Sequence, residues 1–352
     1  MSSTTSHRYR IETYSAIRGA AGNLYRLCDN EAGVRFSVAP FAGAEIASIQ
    51  TRSNGEWLEI LERAEDFTPC DRWRGRAPWL WPVVGRSYSA KKLEDALRTG
   101  RLPTEFDWDC EGKIYPMPMH GFAMRRAWIV TTSRTSDEGA RVECTLADDE
   151  DTRKQYPFGF LANLSFRLSD GIVRAIYRVE AAKSNSAPMP FCAGNHITLR
   201  APLTAAGRFE DVRVFAPVRH VYAVTSLGLV NESAELSFRE GILLADSRLH
   251  NLVVGHFAPE QASVRVSDPG GLQIEIGQRE LVEAGSAKAP SDGFYFVFYA
   301  SPKHGFFCPE PWLGLPNALN TLRPIVALRP GDHFEWEVTV RINHSTTLVG
   351  PI

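Results

Sequence analysis

Alternating apolar and polar positions dominate the chain and predict β-strands. One such run covers 158–168, and a second covers 173–180. The turn signal Ser169-Asp170-Gly171 lies between them, so the two runs predict an antiparallel hairpin. A third run, 334–342, alternates in the same way near the end of the chain. Each run places its apolar residues on one face, as expected for strands that cover a core.

Shorter runs of the same character predict further strands, whereas helix signals are scarce. Helical spacing is found over 91–98, before Gly100 and Pro103, and the surrounding region 86–119 is predicted to be a long loop. Without βα alternation, these signals predict an all-β fold, a large antiparallel β-sandwich with few short helices, formed as one domain over 1–352. The shorter strands are predicted at 34–38, 43–50, 126–133, 141–147, 189–193, 220–225, 252–257, 272–276 and 295–300.

Composition narrows the class of protein. The chain has 352 residues and a formal net charge of −2, which gives no electrostatic footprint for nucleic acid or an acidic membrane. The N-terminus shows no apolar signal segment, and no run approaches the roughly 18 apolar residues of a membrane span. The six cysteines are scattered without metal-site spacing. We expect free thiols, a cytoplasmic location, and neither a metal nor a cofactor.

The segment around Glu310 is the first candidate for chemistry. Glu310 lies between Pro309 and Pro311 and is followed at once by Trp312. Each proline fixes its own φ and biases the preceding residue away from helix, so the backbone is expected to be stiff and extended. Such a chain aims the carboxylate, and the indole offers an apolar face to a sugar ring. Taken alone, the motif also fits a surface glutamate in a proline-rich loop.

Three further segments carry polar residues suited to a site. Arg86 follows Gly85 at the end of an apolar stretch rich in tryptophan, and its guanidinium suits vicinal hydroxyls or anionic oxygens. His120 precedes a glycine, which permits close backbone approach, and His196 follows a break in an apolar run. Solvated or structural roles remain open for all three. The chain contains no dinucleotide-binding, phosphate-loop or serine-hydrolase motif, and 148–151 is interpreted as a solvated acidic turn rather than a calcium site.

Taken in order, these segments resemble the aldose 1-epimerase (mutarotase) family, near its hexose-6-phosphate mutarotase branch. The resemblance spans about residues 30 to 343. The segments that carry it are Pro78–Arg86, His120–Ala123 with Trp128, Tyr156–Phe158, Met189–Phe191 with Gly194–His196, and Cys308–Trp312.

The resemblance implies a galactose-mutarotase-like supersandwich that binds a sugar or sugar phosphate in an open cleft. It implies that Glu310 is the general base and His196 the general acid that interconvert α and β anomers by opening and closing the ring. We expect Glu310 to be ionised and His196 to be substantially protonated, with the two groups flanking the anomeric carbon rather than touching. Substrate-binding roles are implied for His120, Arg86, Trp312, Arg125 and an aspartate, for which Asp246 and Asp211 are the candidates.

The chain departs from the family pattern in two places. Met124 stands where the family commonly has arginine, with Arg125 and Arg126 displaced beyond it, and 197–199 lacks the usual aromatic residue. Both changes concern the wall that faces the sugar. A phosphosugar would require clustered basic side chains, for which the candidates are Arg72, Arg74, Arg76, Arg125 and Arg126.

Two other classes of function remain open from the sequence. One is a non-catalytic carbohydrate-binding protein on the same fold. The other is a lyase or glycoside hydrolase, although a hydrolase normally uses two carboxylates and the sequence identifies one. We expect a monomer or a homodimer.

Overall fold

The structure, a computed structural model, describes residues 7–15, 22–64, 66–67, 75–258, 262–282 and 286–344. The all-β prediction is confirmed: the strands form sheets of five, nine, eight, two and two members, and their pairing is antiparallel. None of the described helices is long and apolar enough to cross a membrane. The five cysteines within the described residues are free thiols, whereas Cys70 lies outside those residues.

The strands, numbered in chain order, are β1 (Tyr9–Ser15), β2 (Asn23–Asp29), β3 (Val34–Ala39), β4 (Glu45–Ser53), β5 (Glu56–Glu59), β6 (Trp79–Leu80), β7 (Asp107–Cys110), β8 (Lys113–Pro116), β9 (Ile129–Ser136), β10 (Gly139–Ala147), β11 (Phe160–Ser169), β12 (Ile172–Ala181), β13 (Met189–Phe191), β14 (Ala193–Asn195), β15 (Leu199–Arg200), β16 (Arg213–Phe215), β17 (His220–Val224), β18 (Val230–Glu235), β19 (Ile242–Leu243), β20 (Asn251–Val254), β21 (Ala262–Ser267), β22 (Leu272–Glu280), β23 (Phe294–Ser301), β24 (Phe306–Leu313), β25 (Val326–Leu328) and β26 (His333–His344). The α-helices are α1 (Ala90–Thr99), α2 (Glu150–Arg153) and α3 (Ala318–Thr321), and 3₁₀ turns occupy Ala123–Arg125, Phe209–Asp211, Ser247–His250 and Pro302–His304.

Two large sheets provide the layers of the molecule. The nine-stranded sheet has the order β19-β16-β21-β22-β26-β12-β11-β10-β9. Seven strands of the eight-stranded sheet have the order β18-β17-β20-β23-β24-β14-β6, and its eighth strand, β15, pairs with β24 beside β14. Buried apolar residues from both sheets, such as Phe166 and Phe296, belong to one hydrophobic cluster. Burying that shared apolar surface is the main favourable contribution to holding the layers together.

The hairpin predicted at 158–180 is present as β11 and β12. Its register runs from Phe160 opposite Ala181 to Ser169 opposite Ile172. Asp170 and Gly171 form a two-residue turn with φ values of 50° and 69°. Positive φ at both central positions matches the strand twist, which explains the Asp-Gly sequence.

The region 86–119 contains more structure than the predicted loop and short helix. The helix is present as α1, which ends at Gly100 in the left-handed conformation with φ 66°. Ala96 packs with Tyr88 and Leu227 in a small apolar cluster. The strands β7 and β8, which the sequence did not predict, form a separate hairpin. The segment is therefore anchored by packing at several points.

Candidate active site

Glu310 lies in β24 although a proline precedes and follows it. β24 pairs along its whole length with β23, but its other edge pairs only at Phe306–Phe307 with β15 and at Trp312–Leu313 with β14. Proline has no N–H to donate, so strands tolerate it where a ladder is open. Pro309 and Pro311 fall within this open stretch. The gap in the sheet therefore accommodates the prolines and presents the carboxylate between them.

His196 lies at the same gap because the chain leaves β14 after Asn195. The backbone N–H groups of His196 and Thr198 donate to the carbonyl oxygens of Pro78 and Arg76, each at 3.0 Å. The chain thus exchanges pairing with β24 for pairing with the segment before β6, and it returns to β24 only at β15. Because the chain between β14 and β15 does not pair with β24, the edge of β24 is open there, and the imidazole of His196 lies beside this open edge.

Glu310 and His196 are in contact at the centre of the site. His196 Nε2 lies 3.3 Å from Glu310 Oε1, and the residues are 8% and 2% exposed. The indole N–H of Trp312 donates to Glu310 Oε2 at 3.1 Å. Each carboxylate oxygen therefore has its own partner. The expectation that the two groups would stand apart is wrong for this structure, because the strand gap brings their side chains together.

Burial also changes the charge state expected of this pair. It raises the pKa of the Glu310 carboxyl well above its ordinary value, against a smaller opposing effect of the Trp312 N–H. Burial, and then the neighbouring His120, lowers the pKa of His196 well below its ordinary value. Both shifts favour a neutral acid and a neutral imidazole, whereas we expected a carboxylate and an imidazolium. Either arrangement carries one proton and no net charge.

His120 is held by backbone geometry that only a glycine neighbour permits. Its φ is 64°, and that of Gly121 is 75°, where an added Cβ would lie 2.0 Å from the carbonyl oxygen of Trp81. The backbone N–H of His120 donates to the carbonyl of Gly85 at 2.8 Å, and the N–H of Gly85 donates to His120 Nδ1 at 3.1 Å. Nδ1 is an acceptor, so the proton of the neutral ring resides on Nε2.

The His120 ring completes a cluster of three aromatic side chains around the carboxylate. Its centroid lies 5.5 Å from that of His196 and 6.0 Å from that of Trp312. Burial, followed by the charges of Arg125 and Arg86, lowers the pKa of His120 to about 3. His120 is therefore a neutral donor through Nε2–H across the ordinary pH range.

Arg125 and Arg86 lie near His120 but are held by backbone oxygens. Arg125 Nη1 donates to two carbonyls of the loop 119–121, at 3.2 and 2.5 Å. Arg86 Nη1 donates to the carbonyl of Ser226 at 3.2 Å. Both guanidiniums act on the imidazole by charge. The structure thus brings these two predicted residues to the margin of the cluster.

The two candidate aspartates are bound by nearby arginines rather than by residues of this cluster. Asp246 binds Arg248, with Nε to Oδ1 at 2.9 Å, and Asp211 binds Arg208, with Nε to Oδ2 at 2.8 Å. Within the described residues no hydrogen bond or ion pair joins either aspartate to His120 or Trp312. Each carboxylate is satisfied by an arginine two or three positions away, a local pairing that sequence position alone does not reveal.

Apolar side chains form another wall of the site. Trp312 belongs to a buried cluster with Val253, Tyr295 and Val297, and Met124 packs against that cluster. Val297 lies directly opposite Glu310 across β23 and β24. Met124 therefore adds apolar surface to the cluster that contains Trp312, the hydrogen-bond partner of Glu310. This environment is the physical cause of the raised pKa of Glu310.

Cys308 is a further member of the site, which the sequence offered within the Cys308–Trp312 motif but not as a site residue. It lies two residues before Glu310 on the same strand and is fully buried. One ligand atom from each of His196, Cys308 and Glu310 lies within 4.8 Å of the others, a donor set that a soft divalent metal such as zinc accepts. Two-residue alternation along a strand would have identified Cys308 if 306–313 had been predicted as one. Gly85, whose N–H orients His120, was overlooked because a backbone donor leaves no sequence signal.

Comparison with known proteins adds independent information. The sequence model of the family described as aldose 1-epimerase matches residues 24–270. The Slr1438 protein from Synechocystis sp. PCC 6803 is 22% identical, with 94% of this chain and 98% of that chain covered and a TM-score of 0.71. A galactose mutarotase related enzyme from Lactobacillus acidophilus is 18% identical, with 97% of this chain and 100% of that chain covered and a TM-score of 0.70. A galactose 1-epimerase from Lactobacillus acidophilus NCFM is 16% identical, with 97% of this chain and 100% of that chain covered and a TM-score of 0.69. At these identities the structural likenesses show a shared β-sandwich fold.

Proposed function

The chain belongs to the aldose 1-epimerase family, and from this premise we propose that it interconverts the α and β anomers of an aldose. The observation that carries the proposal is the contact of His196 Nε2 with Glu310 Oε1 at 3.3 Å in a buried gap of the sheet. An acid and a base that share one proton meet the needs of the reaction, which transfers protons and consumes no other reagent.

The proposed reaction requires two proton transfers. Glu310, as a carboxylate, removes the proton of the C1 hydroxyl, and His196, as an imidazolium, delivers a proton to the ring oxygen. The bond between C1 and the ring oxygen breaks, and an open-chain aldehyde forms. Rotation about C1–C2 and attack of the freed hydroxyl on the other face of the aldehyde close the ring, and the two protons return to the groups that gave them. General acid and base catalysis each contribute roughly 10²–10⁴-fold.

The active charge state follows from the neutral pair by one proton transfer. Moving the proton of Glu310 to His196 Nε2 produces the carboxylate and the imidazolium without any exchange with solvent. The Trp312 N–H stabilises the carboxylate, since hydrogen bonds to charged acceptors are stronger than those to neutral ones. Burial opposes this charge separation, and sugar hydroxyls bound beside the pair offset part of that penalty.

The surrounding residues take supporting roles in this proposal. His120 donates from Nε2 to the sugar near its ring oxygen, because Gly85 occupies Nδ1. Arg86 contributes further donors from the margin of the site. Trp312 is 5% exposed and directs its N–H at Glu310, so we assign it to orienting the carboxylate rather than to presenting a face to the sugar.

The arginine contacts favour an unphosphorylated aldose over a hexose 6-phosphate. Of the five arginines that sequence analysis offers for a phosphate, Arg72 and Arg74 lie outside the described residues. The other three already have partners: Arg76 binds Glu45, Arg126 binds Asp149, and Arg125 binds carbonyl oxygens. Releasing Arg76 would leave the buried Glu45 carboxylate without its partner, which is costly, whereas Asp149, the partner of Arg126, is exposed to solvent.

Anomer exchange measured by NMR on a panel of hexoses and their 6-phosphates tests the proposal. We expect saturable, protein-dependent exchange with at least one free aldose and slower exchange with its 6-phosphate. Sugar binding without exchange across the panel would instead indicate a non-catalytic carbohydrate-binding protein. Release of a smaller sugar from an oligosaccharide would indicate a lyase or hydrolase.

A further inference from the structure

A row of four arginines crosses the solvent-facing side of the nine-stranded sheet. Arg134 of β9 lies opposite Arg141 of β10, Arg141 lies opposite Arg167 of β11, and Arg167 lies opposite Arg174 of β12. Residues that alternate with them along the strands, such as Phe166, are buried in the core. We call these four side chains the arginine row. Their position follows from register alone, since directly opposite residues share a face.

The charge pattern of this row differs from that of other positions on the same face. Glu275 lies opposite both Arg265 and Arg341, and Glu335 lies opposite Arg178. There, opposite charges alternate across the strands, which is the favourable arrangement. Four like charges in succession are unfavourable, so the arginine row is a local electrostatic cost that a bound anion would remove.

Neighbouring carboxylates neutralise the row only in part. Arg141 is paired with Glu143, and Arg174 Nε lies 3.9 Å from Glu337 Oε1, while Glu337 makes its shorter contact, 2.7 Å, with Arg279. Neither Arg134 nor Arg167 forms an ion pair within the part of the chain that the structure describes.

Arg167 shows the consequence of this incomplete pairing. Its Nε donates to the Ser165 hydroxyl at 3.3 Å, which satisfies one of five N–H groups. Burial and then the adjacent Arg141 lower the pKa of Arg167, against smaller opposing effects of nearby carboxylates such as Glu143. The centre of the row is thus a cation that is partly removed from water and lacks a counter-charge in contact.

The row lines a cavity large enough for a small ligand. The cavity has a volume of about 770 Å³, and its wall includes all four arginines together with Arg279. A second hollow of about 410 Å³ shares Arg174 and Arg279 and continues across β26 and β22. The two together form a groove that runs across the strands, with guanidinium groups concentrated at one end.

We propose that the arginine row binds a ligand that carries adjacent phosphate groups. Guanidinium forks bind phosphate oxygens bidentately and suit its charge density. Neighbouring strands are about 4.8 Å apart, whereas carboxylates on one face of an extended peptide are about 6.7 Å apart. Each of several linked phosphates carries terminal oxygens that can reach guanidinium groups on adjacent strands, whereas an acidic strand offers one carboxylate per about 6.7 Å. This site is independent of the proposed function, because Glu310 lies in the other large sheet.

Calorimetric titration of the full chain with inorganic tripolyphosphate at low ionic strength tests the proposal. Arg167→Gln should weaken the Kd at least about tenfold, the effect of losing one charge-assisted contact. Arg178→Gln is the matched control. It removes the same charge from the same face of β12's sheet, but Arg178 is paired with Glu335 and does not line the cavity. Its Kd should stay within about twofold of that of the unmodified chain.

Thermal unfolding supplies a second readout. Without ligand, Arg167→Gln should unfold at the same temperature as the unmodified chain or a higher one, since it relieves like-charge repulsion. Tripolyphosphate should raise the melting temperature of the unmodified chain and of Arg178→Gln, but raise that of Arg167→Gln less. Should circular dichroism show that Arg167→Gln does not fold, Arg141→Gln replaces it in both experiments.

Titrations with other ligands identify the source of the phosphate groups and test whether the proposed ligand class is right. Affinity for ATP above that for tripolyphosphate assigns the ligand as a nucleotide, and equal affinity assigns it as inorganic. Tighter binding of an oligoglutamate peptide than of tripolyphosphate would show that the ligand class is wrong. An equal loss of tripolyphosphate affinity in Arg167→Gln and Arg178→Gln would show that the arginine row is not a binding site. The absence of tripolyphosphate binding to the unmodified chain at low salt would show the same.

Discussion

The indole N–H of Trp312 offers a sharp test of how the catalytic carboxylate is stabilised. In Trp312→Phe the ring remains but the donor to Glu310 Oε2 is lost, from a contact of 3.1 Å between residues that are 5% and 2% exposed. A hydrogen bond to a charged group contributes about 1.5–3 kcal/mol. If the bond is formed in full only with the carboxylate, kcat/KM should fall by roughly 10- to 150-fold.

The matched control is Trp79→Phe. Trp79 is also buried, but its indole N–H has no hydrogen-bond acceptor within the described residues. The same substitution there removes a similar volume without removing a hydrogen bond, so stability should fall while kcat/KM stays within about threefold.

Polarimetry of a freshly dissolved single anomer measures both variants after subtraction of the uncatalysed rate, and circular dichroism checks that they fold. Removing the donor should also raise the pKa of Glu310 further, since the N–H opposes the effect of burial. The basic limb of the pH profile should then shift to higher pH in Trp312→Phe. Activity of Trp312→Phe near that of the unmodified chain, or an equal loss in Trp79→Phe, would refute the proposed role of the N–H.

Three further predictions concern the same site. The pair is active with one proton, so kcat/KM should fall below a pKa lower than 6.5, where the pair gains a second proton on His196. It should also fall above a pKa higher than 4.5, where Glu310 loses the only proton of the pair. Glu310→Gln should abolish the basic limb, and a flat profile of kcat/KM between about pH 4 and 10 would contradict this. Gly121→Ala should lower the melting temperature and kcat/KM together, because its Cβ would lie 2.0 Å from the carbonyl oxygen of Trp81, and unchanged melting would refute the steric argument. Zinc should inhibit anomer exchange competitively by binding to His196, Cys308 and Glu310, and Cys308→Ser should raise the inhibition constant of zinc at least about tenfold. Equal inhibition of the two proteins would show that Cys308 is not a zinc ligand.

The large antiparallel sheets could be predicted because their strands obey a two-residue period. The runs that became β11, β12 and β26 alternate strictly, and a left-handed Asp-Gly turn fixes the first hairpin. The sequence pattern failed for β24, because Pro309 and Pro311 argue against a strand. Only the pairing with β14 and β15 shows that the prolines fall where one ladder is interrupted.

The sequence predicted which residues belong to the candidate site better than it predicted how they are arranged. Ordered motifs pointed to Glu310, His196 and His120, which the structure brings together. Their direct contact and reversed charge preference depend on burial by residues from distant strands, such as Val297, which no local pattern reveals. The two aspartate candidates are bound by nearby arginines, a local pairing that depends on side-chain geometry, and their role toward a sugar stays a prediction.

Anomer exchange by Glu310→Gln is the most direct test of the proposed chemistry. The substitution keeps the shape of a buried side chain but removes the base, so kcat should fall by roughly 10²–10⁴-fold while sugar binding, measured by calorimetry, is retained. Glu337→Gln is the control, because Glu337 is also buried, at 4% exposure, but lies in the other large sheet, and its kcat should be unchanged. A Glu310→Gln protein that exchanges anomers at the rate of the unmodified chain would contradict the assignment of Glu310 as the base.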